Sequence, residues 1–190
     1  MGPRIRTAFV RAFATAHAPS SSLTHVNRAG IPHMVDISSK HPTRRSATAR
    51  STIRLPPAVL HALQQHESAH LMGPKGCIST TAILAGVQGA KQTSTLLPFC
   101  HPLPLEHCHV TLDVLPPDRI VIECHVCVTH KTGVEMEALT GASVAALCVY
   151  DMCKALSHEI VIETTHLVEK TGGKRDFTKN KLQSTSSSEV

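Results

Sequence analysis

From Ala142 to Leu156 the only clearly polar residues are Ser143, Asp151 and Lys154. A helix apolar on nearly every side belongs in a core, so this stretch dictates a fold built around one buried helix. Asp and Lys are seldom fully buried unless paired. Asp151 and Lys154 are three residues apart and project from one helical face, about 5–6 Å apart at Cβ. Either one alone in an apolar setting would cost several kcal/mol, on the order of a domain's whole margin of stability. At a buried or interfacial position such a pair points to a site. The plainer alternative is an internal ion pair at a subunit contact.

The 190 residues are enough for one domain with a real hydrophobic core. Seven cysteines without framework spacing argue against a secreted disulfide scaffold, and no apolar run is expected to reach the roughly 18 residues of a membrane span. The net charge of +5 is unevenly placed: residues 1–35 carry +4 and residues 170–190 carry +3, leaving −2 for residues 36–169. With no Trp and one Tyr to stack on bases, a nucleic-acid surface is poorly supported. Residues 1–30 read as an organellar transit peptide or a disordered basic extension with no targeting role. Arg4, Arg6 and Arg11 accompany Ile5, Phe9 and Phe13, and no acid appears before Asp36. The folded domain is expected over 31–177, followed by a polar, Ser-rich, disordered tail over 178–190.

Ala47 to Leu55 alternates like a half-buried strand. Pro56-Pro57 opens a helix running toward Leu71, and Gly73-Pro74 breaks it. Ile78 to Lys91 reads as a second helix, whose Gly86 and Gly89 predict close packing on a neighbour. Val110–Leu115 and Ile120–Val128 are strands joined by a Pro116-Pro117-Asp118 turn, and a last strand starts at Ile160. Strand, helix, helix, strand, strand, helix, strand is an α+β order. With one helix as an addition, it is the ferredoxin-like split βαβ pattern with an antiparallel sheet. One sheet face would then need cover, which an oligomer would supply.

The chemistry-bearing residues lie around these elements. Asp151 could pass a proton while Lys154 holds a phosphate or tunes the acid. Glu135-Met136-Glu137 starts the apolar helix, where acids complement the dipole. Lys131 and Thr132 just before it could meet a phosphate. Lys75 and Lys170 sit in Gly-rich loops, and Phe99-Cys100-His101-Pro102 is a Pro-bracketed loop. Several lysines together with an Asp, a His and Glu135 favour a polyphosphate substrate. A metal set from Cys100, His101, His107 and Cys108 is not expected, because Cys108 and His109 diverge along a strand. Cys124 and Cys127 would likewise face opposite sides. A non-catalytic nucleotide-binding module and a zinc-stabilised interaction protein are the rival classes.

Three ordered motifs carry a resemblance: Leu97-Pro98-Phe99-Cys100-His101-Pro102-Leu103, Lys131-Thr132-Gly133-Val134-Glu135-Met136-Glu137-Ala138-Leu139-Thr140 and Tyr150-Asp151-Met152-Cys153-Lys154-Ala155. With Met34–Ser38, Ala85–Lys91 and Lys170–Lys174 they resemble the cyclic pyranopterin monophosphate synthase (MoaC) family of molybdenum cofactor biosynthesis, from about Leu23 to Phe177. The resemblance implies conversion of a cyclised dihydro-GTP to cyclic pyranopterin monophosphate with loss of pyrophosphate. It implies no required cofactor, a homo-hexamer built as a trimer of dimers, and sites at a dimer interface. It also implies a functional link to the upstream radical SAM GTP cyclase and a mitochondrial matrix location. Asp151 matches the catalytic acid/base, Lys154 its partner. Lys75, His101 and Lys170 match the residues that hold the triphosphate and assist its chemistry. Phe99, Cys100 and His101 match the substrate loop, and Glu135, Met136 and Glu137 the segment around the purine-derived ring, with Lys131 beside them. An Asp flanked by Lys is expected to titrate low. Three positions depart from the family: Phe99 where Leu is usual, Ser46 in place of an acid, and Gly141 in place of Ala. The last costs a helix about 1 kcal/mol.

Overall fold

A computed structural model of the chain describes residue 26, residues 30–64 and residues 71–179. Most of the expected leader (1–25 and 27–29) and of the expected tail (180–190) lies outside the described residues, while Thr178, at the start of that tail, pairs with Glu169. The chain divides into two units, Met1–His33 and Met34–Val190. In the first, Val26 bridges to Pro32; everything below concerns the second.

Its elements, in chain order, are β1 (Thr43–Arg54), α1 (Pro57–Gln64), β2 (Met72–Gly73), β3 (Gly76–Cys77), α2 (Ile78–Lys91), α3 (Thr93–Leu96), β4 (His107–Leu115), β5 (Arg119–His130), α4 (Glu135–Cys153), β6 (Val161–Thr171) and β7 (Phe177–Thr178). Five strands form one antiparallel sheet in the order β4-β5-β1-β6-β7. The architecture is the expected α+β one, with α4 packed on β1, β5 and β6 and α2 packed on α4 and β4.

The period of two along β1 and β5 decides which face takes the helices. Ala47, Ala49, Ser51 and Ile53 are buried on one side of β1, and Ile120, Ile122, Cys124, Val126 and Val128 on the same side of β5. Ala138, Ala142, Ala145, Ala146 and Val149 of α4 are all fully buried in the same core. The small side chains let helix and sheet approach closely. Gly86 and Gly89 do the same between helices: a Cβ at Gly89 would lie 2.7 Å from Val144 Cβ, and one at Gly86 3.1 Å from Ala145 Cβ. The close packing predicted for α2 is therefore against α4.

Four expectations change. Lys170 lies on β6, paired with Ala47, rather than in a loop. Of the helix expected to run toward Leu71, residues 65–70 lie outside the described residues; Leu71 itself is buried, its N–H donating to Ser79 Oγ at 3.1 Å. The broken stretch after it is a small hairpin, β2–β3, rather than a plain loop. The second sheet face is polar and bonds to itself. Arg50 pairs with Glu123, Arg54 and Arg119 with Glu163, and Ser46 with Thr171. An antiparallel sheet can leave such a face in water, so the face does not need cover. Finally, α4 is long and apolar enough to cross a membrane by length and composition alone. Half of that window is buried here, because the helix packs on the sheet.

Candidate active site

The charged pair that marks α4 lies on its last turn. Lys154 Nζ sits 2.8 Å from Asp151 Oδ1. Lys75, 76 residues earlier, donates to Asp151 Oδ2 at 2.8 Å and to its backbone carbonyl at 3.1 Å. The β2–β3 hairpin makes this possible by setting Lys75 in a two-residue turn closed by Gly76 at φ +105°. Only glycine holds that conformation without strain. The carboxylate is thus clamped between two ammoniums, and the hydrogen bonds from Lys154 and then Lys75 hold its pKa down at about 2. Lys154 is held above its ordinary value in return. The low titration expected of Asp151 is what the structure shows, and Lys75 adds to its cause.

The pair is not buried in the protomer. Asp151 is 54% exposed, and both lysines are 47% exposed. The helix ends at Cys153, and while Met152 and Cys153 of its last turn are buried, Asp151 faces outward. One turn back on the same stripe, Leu147 is 59% exposed.

The remaining candidates gather at the other end of α4. Lys170 Nζ donates to Glu135 Oε1 at 2.8 Å. Burial pushes the Glu135 pKa up, but the Lys170 hydrogen bond, the residue's own backbone N–H and the charges of Lys170 and Arg45 outweigh it and hold the group low. Glu137 has no such lysine. It is 4% exposed, and burial, reinforced by the negative charge of Glu135, raises its pKa to about 7. The Cys100 thiol is raised first by its own burial and then by the charge of Glu137, which places the Phe99-Cys100-His101 loop at this end of α4. His101 is half-buried there, while Phe99 and Met136 are 44% and 40% exposed. Lys131 is turned aside: its Nζ donates to the Ser38 carbonyl at 2.9 Å and ties down the segment after Met34.

Sequence reasoning missed Arg45. Its Nε donates to the His130 carbonyl at 3.0 Å, and its charge acts on Glu135. Its position on the helix-facing side of β1, in step with Ala47, was the available signal, but no motif surrounds it.

The candidates therefore form two clusters. Lys75, Asp151 and Lys154 stand at the C-terminal end of α4; Glu135, Glu137, Lys170, Arg45 and the Phe99–His101 loop stand at its N-terminal end. Sixteen residues of helix at 1.5 Å each separate Glu135 from Asp151 by about 24 Å. One small molecule cannot touch both clusters of a single protomer.

The MoaC family model matches residues 34–173. The cyclic pyranopterin monophosphate synthase of Xanthomonas oryzae pv. oryzae is 53% identical over 162 residues, covering 85% of this chain and 96% of that protein. The synthase of Desulfitobacterium hafniense is 46% identical over 152 residues, 80% of this chain and 90% of its own length. Molybdenum cofactor biosynthesis protein 1 of Dictyostelium discoideum is 41% identical over 169 residues, which span 82% of this chain and 27% of that longer protein.

Proposed function

Because the chain belongs to the MoaC family, we propose that it converts a cyclised dihydro-GTP to cyclic pyranopterin monophosphate with release of pyrophosphate. It is a lyase of early molybdenum cofactor biosynthesis. The observation that says most about how it works is the separation of the candidate residues into two clusters at opposite ends of α4. Each cluster is half of a site, so the working site is assembled from the Asp151 end of one copy and the Glu135 end of another. The exposed Leu147 beside Asp151 supports contact there with a second copy.

The chemistry of the halves is complementary. The phosphate groups of the substrate compete for Lys75 and Lys154. As the ammoniums turn to phosphate, the Asp151 carboxyl loses the interactions that keep its pKa near 2, and it becomes able to exchange protons. Lys170 and Arg45 supply further positive charge for the triphosphate, with His101 at hand on the adjoining loop. Glu135 accepts from the amide-like edge of a guanine. Glu137, balanced near pH 7, can donate or accept. Phe99 and Met136 offer exposed apolar surface to the ring system. Opening, rearrangement and cyclisation of the phosphate transfer no net electrons, so the reaction needs no redox cofactor.

A homo-hexamer built as a trimer of dimers, a mitochondrial matrix location and a functional link to the upstream radical GTP cyclase belong to the same reading. So do a leader over 1–30 and a catalytic domain over 31–177. The test uses protein without the leader, incubated with the cyclised dihydro-GTP, with pyrophosphate and pterin product followed by mass spectrometry. Wild type should turn over, and Asp151→Asn and Lys154→Ala should each lose activity by about a hundredfold or more. An inactive but well-folded wild type would favour a nucleotide-binding module instead.

A further inference from the structure

The polar face of the sheet carries a second constellation, on the side away from α4. Thr48 Oγ1 donates its one proton to Glu169 Oε1 at 3.1 Å. Its oxygen must then accept in the 2.9 Å contact with His125, so His125 Nδ1 carries the ring proton. The Nε2 lone pair is left facing Cys127 Sγ at 3.1 Å, and the thiol donates to it. Glu169, Thr48, His125 and Cys127 thus form a relay that fixes the imidazole as a base against a thiol, with a third group orienting it.

The thiol has room for a reaction partner. Cys127 is 6% exposed, yet it lines a cavity of ≈ 280 Å³ together with Arg44, Ser46, His125 and Thr171. Ser46 Oγ and Thr171 Oγ1 lie 2.8 Å apart on its wall as hydrogen-bonding groups. Arg44 brings a permanent positive charge. No three His, Cys, Asp or Glu side chains are arranged to hold a metal among the described residues, and a guanidinium favours an anion. We propose that Cys127 is a modification site that undergoes thiol–disulfide exchange with a small anionic disulfide, with carboxylates for Arg44 and amides for the two hydroxyls.

In the exchange, His125 Nε2 takes the thiol proton and the Cys127 thiolate attacks one sulfur of the disulfide. The old S–S bond breaks as the new one forms. The leaving thiolate takes the proton back from His125. One thiol and one disulfide are consumed and one of each is formed, so no outside oxidant is needed.

The probe is oxidised glutathione added to the full chain, with the rate at each cysteine followed by peptide mapping. Bis(2-hydroxyethyl) disulfide serves as the neutral comparison, and half-buried Cys77 is the internal reference. Cys127 should form the mixed disulfide. His125→Asn should slow it by about tenfold or more with the Cys77 rate unchanged. Arg44→Ala should slow the reaction with glutathione but not with the neutral disulfide. Reaction at Cys77 with none at Cys127 would overturn the proposal. So would equal Cys127 rates in wild type and His125→Asn, or loss of Arg44 without effect on either disulfide.

Discussion

Gly141 is a helix-weakening residue in the middle of the core helix, and the reason lies in another strand. A Cβ at this position would sit 2.6 Å from Cys124 Sγ and 3.1 Å from the Gly86 carbonyl. The glycine makes room for a sulfur that projects from β5. Gly141→Ala should therefore destabilise the protein by about 1–3 kcal/mol of overpacking, despite the better helix propensity of Ala. In a Cys124→Ala background the same change should cost less, the remaining cost coming from the Gly86 carbonyl, and a double-mutant cycle on denaturant midpoints measures the difference. Glu137 carries a pH signature of its own. Its folded pKa, about 7, stands above the ordinary 4.5, so the folded state holds a proton that the unfolded state has released. Its contribution to stability is complete below pH 4.5 and is lost as pH rises toward 7. Glu137→Gln should match wild type at acid pH and exceed it above pH 7 by about 3 kcal/mol, read from melting curves across pH.

At the scale of elements, a two-strand hairpin does what no motif announces. β2–β3 carries Lys75 to Asp151, and its geometry depends on Gly76. Nothing lies within 4 Å of a Cβ built there, so Gly76→Ala would suffer backbone strain alone, about 1–2 kcal/mol. Loosening the turn should free Lys75 and let Asp151 titrate above about 2, visible by NMR titration of the carboxyl, with activity reduced. The elements themselves were largely legible. The stretch Ile78 to Lys91, which follows the Gly73-Pro74 break of the preceding helix, is α2, and β4 and β5 follow from the alternation on either side of a Pro-Pro turn. The hairpin was not legible, because two residues per strand are too few to show a period.

For the whole molecule, the distance along α4 is the ground for the proposed sharing of the site between copies. If the site is shared between copies, Asp151→Asn and Lys170→Ala damage different halves. Each variant alone should be nearly inactive, and co-expressed mixed oligomers should regain activity, because some sites then combine two intact halves. Leu147→Glu should weaken the association seen by light scattering and lower activity, while the melting temperature of the protomer stays close to wild type.

The chain's own residues determined a good deal. A nearly unbroken apolar run set α4 and alternation set its sheet partners, and local spacing set Asp151 beside Lys154, since neighbours on a helix meet whatever the rest of the fold does. The motifs pointed to the family and its chemistry. Only the tertiary structure brought Lys75 to Asp151, Lys170 and Arg45 to Glu135, and Cys127 to its base and cavity. It alone also showed that the face away from the helices bonds to itself. Those relations join residues far apart in the chain, and they rest on strand register and helix length, which no single stretch of sequence records.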